Sequence, residues 1–122
     1  MSIVSAQREH TVEWLELNGT TTSIKAPVST GEEDGSVGIT YGTAISASCD
    51  WQPYKPDTKR VESGDIIIAD YMLFSLYDLA IGVNYLVERV DDTNKYRVVA
   101  IKDYPDHKEV YILNTKGARY DR

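Results

Sequence analysis

Asn84-Tyr85-Leu86-Val87-Glu88-Arg89-Val90 runs into Asp91-Asp92-Thr93-Asn94, and Lys95-Tyr96-Arg97-Val98-Val99-Ala100-Ile101 follows at once. The outer two segments are rich in β-branched and aromatic residues, which suit a pleated, half-buried surface. The polar tetrad between them holds the residue types that favour tight turns. A second turn, Tyr104-Pro105-Asp106-His107, leads into another strand over residues 109–113. The C-terminal third therefore predicts a three-stranded antiparallel meander.

The same period of two extends toward the N-terminus. Ile45, Ala47, Cys49 and Trp51 fall on one face of a segment whose other face carries Ala44, Ser46, Ser48 and Asp50. That alternation predicts a half-buried strand over residues 44–51, preceded by another over 39–41. Gln52-Pro53-Tyr54-Lys55-Pro56-Asp57 ends the run, because each proline removes a backbone donor. Residues 66–74 open on three isoleucines, which lose χ1 freedom in a helix, so a central strand is expected there. At most a single helical turn follows, over residues 75–79. Val12, Glu13 and Trp14 alternate ahead of Asn18-Gly19, a strong hairpin signal, so residues 11–17 and 20–25 predict a β-hairpin. Gly31 and Gly35 flank Glu32-Glu33-Asp34, which predicts an exposed loop over residues 29–38. No internal repeat is present. Many short strands separated by turns point to a mainly β chain, a small antiparallel β-barrel or sandwich with long loops. A single domain over residues 1–122 is expected, with 1–10 and 114–122 as extended termini.

Composition agrees with one ordinary globular domain: 122 residues, 42% hydrophobic and 26% charged. Such a chain buries enough surface to fold without disulfides or metal. The net charge of −6 disfavours gripping phosphate backbones, which relies on lysine and arginine displacing counterions. The single cysteine, Cys49, forms no internal disulfide and gives no sign of an oxidising compartment. No apolar run approaches the ~18 residues of a membrane helix, and residues 1–10 lack the apolar stretch of a signal peptide. Nine tyrosines against one phenylalanine suit β-structure with partly wet contact surfaces.

Catalytic chemistry needs converging groups, and few are in sight. His10 and His107 are far apart in sequence and have no cysteine or second histidine at zinc spacing. Asp103, Asp106 and His107 surround one turn, where a carboxylate–histidine cluster would bind metal, although a solvated turn is the simpler reading. Asp91-Asp92-Thr93-Asn94 lacks the alternation and glycine of a calcium loop. Cys49, on an apolar face with no basic neighbour, reads as a small buried hydrophobe rather than a nucleophile. No phosphate loop, nucleophile elbow or dinucleotide fingerprint occurs. The chain is not expected to be an enzyme or to need a cofactor.

Val37-Gly38-Ile39-Thr40-Tyr41-Gly42, a strand ending in Trp51-Gln52-Pro53-Tyr54, the strand after Ile66, Tyr96-Arg97-Val98-Val99-Ala100-Ile101-Lys102-Asp103-Tyr104 and Glu109-Val110-Tyr111-Ile112-Leu113 follow in that order. This succession resembles the head-closure, or stopper, proteins of long-tailed bacteriophages, with a head–tail joining or tail-completion protein as the close variant. One place departs from the family pattern. The Gly-Asp pair common at the start of that family's meander stands here at Gly64-Asp65, while Ile81-Gly82-Val83-Asn84 occupies the corresponding place.

The resemblance implies a virion neck component assembled in the host cytoplasm as a ring, hexamer or dodecamer. Portal and adaptor proteins would lie above it and a tail terminator below, with no membrane involved. Loops in the ring's channel would hold packaged DNA by steric blocking without tight binding. The family has no catalytic residues. The expected channel-gating loop is Thr30, Gly31, Glu32, Glu33, Asp34 and Gly35, with residues 53–63 second. Candidate subunit or connector contacts are Tyr54, Lys55, Lys59, Arg60, Lys116, Arg119 and Arg122. A function of another class stays open, a stand-alone β-barrel that binds a small molecule or peptide. A nucleic-acid-binding barrel comes third, disfavoured by charge.

Overall fold

A computed structural model describes residues 3–31, 37–54 and 67–115 of the chain. The elements in order are α1 (Ile3–Asn18), β1 (Thr20–Lys25), β2 (Pro27–Gly31), β3 (Val37–Tyr41), β4 (Ile45–Pro53), β5 (Tyr71–Leu76), β6 (Leu86–Arg89), β7 (Lys95–Asp103) and β8 (His107–Asn114). Six of the strands close a barrel in the order β1-β4-β5-β8-β7-β6, and β6 returns to pair with β1. The open choice between barrel and sandwich is thereby decided. The predicted meander is β6-β7-β8, with every neighbouring pair antiparallel. A bulge between Val98 and Ala100 shifts the β7–β8 register, which bends the longest hairpin around the closure.

Inward positions alternate along each strand and fill the interior. Thr22 and Ile24 of β1, Cys49 of β4, Leu73 of β5, Val87 of β6, Tyr96 and Val98 of β7, and Val110 and Ile112 of β8 are all buried. Barrels of so few strands are packed with side chains and enclose no channel of their own. Asn84, at φ 74°, takes the left-handed conformation that asparagine tolerates best among residues with a side chain. Its Oδ1 accepts from Arg97 Nη1 at 3.0 Å, tying the turn before β6 to β7.

Three expectations need correction. Residues 11–17 are helix, not strand, and residues 3–10, expected in an extended terminus, are its first turns. The Asn18-Gly19 pair caps this helix: Gly19 N–H donates to Leu15 O at 2.9 Å and Asn18 Nδ2 to Trp14 O at 3.1 Å. Only the return strand, 20–25, stands as read. The central strand begins at Tyr71, several residues after the isoleucines; Ile68 is exposed and residue 66 lies outside the described residues. Strand β5 pairs with β4 from Tyr71↔Pro53 onward, and where Pro53 ends β4 there is no partner left for the isoleucine run. Within the expected loop over 29–38, residues 29–31 and 37–38 belong to two paired strands, β2 and β3, in register from Pro27↔Tyr41 to Gly31↔Val37, and residues 32–36 lie outside the described residues.

Candidate functional site

Strands β2 and β3 form a two-stranded sheet separate from the barrel. Gly42 N–H donates to Ala26 O at 2.9 Å and clamps the base where the chain leaves β1 and re-enters β4. The result is a β-arm attached to the barrel at one end. Thr30 and Gly31 sit at its far end, paired with Gly38 and Val37. Glu32, Glu33, Asp34 and Gly35, which connect these strands, lie outside the described residues.

Of the seven candidate contact residues only Tyr54 is described. Its ring packs edge-on against Tyr111 at 5.0 Å, and its N–H donates to Asp70 O at 3.1 Å. Tyr54 thus helps fasten the end of β4 to the barrel while staying half-buried. Lys55, Lys59, Arg60, Lys116, Arg119 and Arg122 lie outside the described residues, as does most of the second candidate loop. The C-terminal chain leaves the barrel beside β7, where the Thr115 hydroxyl donates to Lys95 O at 3.1 Å.

Sequence reasoning missed an aromatic cluster at one end of the barrel. Trp51, Tyr71 and Tyr96 meet edge to face with centroids 5.3–5.7 Å apart. Trp51 Nε1 donates to Thr22 Oγ1 at 2.9 Å, satisfying a buried hydroxyl of β1. The Arg89 guanidinium lies 4.7 Å over the Trp51 ring and 5.6 Å over Tyr71. Asp91 and Asp92 neutralise it at 3.0 and 3.5 Å, although the Arg89 Nε–H does not point along the Asp91 contact. Asp92 also accepts from Asn94 N–H and the Tyr96 hydroxyl, both at 2.9 Å. These bonds, the backbone one foremost, hold its carboxyl below the usual range. The cluster plugs this end of the barrel, its polar groups paired except for the buried Arg89 Nε–H. Its only sequence signal was the spacing of Trp51, Tyr71 and Tyr96 on inward strand positions.

Cys49 is fully buried, and burial pushes its thiol up to about 11, so it stays protonated at neutral pH. That matches the reading of a small buried hydrophobe. The turn at Asp103, Asp106 and His107 does gather charge. His107 Nδ1 lies 3.0 Å from Asp106 Oδ1 and Nε2 lies 3.5 Å from Glu109 Oε2, while Asp103 pairs with Lys108. The imidazole is stacked between Phe74 and Tyr104, each with its centroid 4.6 Å away. With both ring nitrogens occupied and both faces covered, His107 cements this corner. No cluster of three or more metal-ligating side chains occurs among the described residues.

Helix α1 lies across β4 and β5. Arg8 Nε donates to Pro105 O at 2.9 Å and its guanidinium covers Tyr77 at 3.6 Å. The Thr11 hydroxyl is within bonding distance of Gln7 O, at 3.0 Å, and Asp106 O, at 3.2 Å. Trp14 Nε1 donates to Asp50 Oδ2 at 3.0 Å, and Ser48 Oγ donates to Leu15 O at 3.1 Å. Polar anchors do much of the docking, and a groove of about 610 Å³ remains beside the helix, lined by Ile3, His10, Trp14, Gln52 and Phe74 among others. No protein-family model matches the chain, and no curated protein matches it.

Proposed function

We propose that this chain is a ring subunit of the neck of a long-tailed bacteriophage, a head-closure protein that retains packaged DNA and joins head to tail. The observation that carries the reading is the β2–β3 arm, which is set apart from a closed barrel and bears the Glu32-Glu33-Asp34 triplet in its connection. A stopper needs a rigid body to build a ring wall and a slender element to obstruct the channel, and this chain has both parts. A net charge of −6 suits the task, since an acidic wall repels the duplex and lets it pass later without sticking.

Deletion of residues 31–36, with the ends rejoined, tests the assignment. The barrel is expected to keep its far-UV spectrum and melting midpoint, while heads assembled with the variant lose their DNA. Heads that keep DNA at the wild-type level would remove the arm from the gating role.

The binding-module reading has one observation in its favour, the groove beside α1, because the barrel interior is filled by its own side chains. Recruitment of the purified chain to portal–adaptor complexes separates the two. A module of that kind stays free, whereas a neck subunit joins the complex.

A further inference from the structure

Among the described residues, the barrel carries two faces of opposite charge on opposite sides. Around the closed sheet, the β6–β7 pair lies diametrically across from β4–β5, the pair on which α1 rests. Thr11 and Leu15 of α1 are buried against the barrel, so helical spacing turns Glu9, Glu13 and Glu16 outward, with Leu17 beside them. None of the three glutamates has an ion-pair partner among the described residues. Leu17, 85% exposed, and Ile3, 78% exposed, add bare apolar surface to the same helix.

Across the barrel the pattern inverts. Ile24, Val87, Tyr96 and Val98 point inward, so Lys25, Glu88, Lys95 and Arg97 point outward by strand alternation. Register places Lys25, Leu86 and Arg97 in one cross-strand row and Ser23, Glu88 and Lys95 in the next. Three cations thus face one carboxylate, Glu88, which is 3.5 Å from Lys25. Lys95 and Arg97 are left without a carboxylate among the described residues. Val90, 78% exposed, supplies an apolar residue at the end of β6.

We infer that the α1 face of one copy of this chain docks on the β6–β7 face of the next, head to tail. The occupant is a second copy because the complement to each face is carried by the same chain. Exposed carboxylates beside Leu17 and Ile3 on one face meet Lys25, Lys95 and Arg97 on the other, so opposite charge sets the pairing of the two faces. Two different patches on opposite sides form a heterologous contact, which propagates around a ring and does not stop at a two-fold dimer. The inference rests on the ring reading above and names the surfaces that build the ring.

Charge exchange on the full-length chain tests it. One variant carries Glu9→Lys, Glu13→Lys and Glu16→Lys; the other carries Lys95→Glu and Arg97→Glu. All five positions are outward, and circular dichroism of each variant checks that the fold is kept. By sedimentation at low salt and high concentration, wild type is expected to self-associate, and added salt weakens it. Each variant alone associates roughly tenfold or more weakly, and an equimolar mixture of the two recovers the wild-type association. Wild type that stays monomeric, variants that associate like wild type, or a mixture that stays dissociated would each overturn the inference.

The neck reading fails separately. A chain that associates by these faces but does not retain DNA in heads keeps the inference and removes the neck function. Retention of DNA by heads built with either charge variant alone removes the inference and keeps the function.

Discussion

At the scale of single residues, Tyr96 shows how the barrel uses its tyrosines. The ring packs on Trp51 and Tyr71 while the hydroxyl donates to Asp92 at 2.9 Å. Burial first, and then the carboxylate beside it, raise the Tyr96 phenol to about 12. An unfolded tyrosine titrates near ~10, so the native state holds this proton more tightly than the unfolded chain does. The resulting stability is present in full below about pH 10 and is lost as pH rises through about 12. Tyr96→Phe is therefore expected to flatten the fall of the denaturation midpoint across that alkaline window. Part of the slope survives, because Tyr111 is raised in the same direction by burial and by Glu109, which accepts its hydroxyl at 3.0 Å. An unchanged slope in urea titrations at stepped pH would show that Tyr96 ionises without opening the cluster. Nothing in the sequence marked this pair, since Tyr96 and Asp92 meet only after the turn at Asp91–Asn94 folds back.

Among the elements, legibility followed the source of each element's burial. The meander was readable because Val87, Tyr96, Val98, Val110 and Ile112 are apolar at alternate positions and all point inward. Helix α1 was misread because its barrel-facing stripe, Val4, Arg8, Thr11 and Leu15, is half polar. It docks through hydrogen bonds that leave no apolar period of 3.6 for inspection to find. The Asn18-Gly19 signal was real, but a helix end and a hairpin use the same residue pair. Gly19 is required there for space: a Cβ would lie 2.6 Å from Leu15 O and 1.9 Å from Ser48 Oγ. Gly19→Ala is expected to cost about 1–3 kcal/mol by pushing the end of α1 off β4. Two tryptophans report the location of the damage, since Trp14 lies on the helix and Trp51 inside the barrel. In the Trp51→Phe background, Trp14 emission should shift at lower denaturant than in the parent; in the Trp14→Phe background, Trp51 should shift less. Equal shifts at both reporters would mean that the helix end and the barrel melt as one. The arm was half legible. Its acidic glycine-bounded stretch and the strand over 39–41 were visible, but the pairing from Pro27↔Tyr41 to Gly31↔Val37 was hidden because Pro27, Ser29, Gly31 and Gly38 interrupt the strand-favouring residues.

For the whole molecule, stability resides in one small interior shared by six strands. Leu73 stands opposite Trp51 on β4 and Val110 on β8 and is completely buried. Leu73→Ala is expected to lower unfolding free energy by about 2–5 kcal/mol, with the denaturant slope unchanged because the same surface is still exposed on unfolding. A reduced slope would mean that the barrel opens in parts. Function is the property that sequence and fold display least directly. A closed barrel is a framework that hosts many activities, so the proposal depends on the arm.

Closure of the barrel has one more consequence, for aggregation. Each of the six barrel strands has a neighbour on both sides along part of its length, which leaves only short stretches of open N–H and C=O ladder for another chain. Strands β2 and β3 have only each other, which leaves one unpaired side on each. Among the described strands, those of the arm have one side unpaired along their whole length. Crowding of many copies therefore brings together the segments best able to cross-link by strand addition, while the closed barrels behind them contribute less.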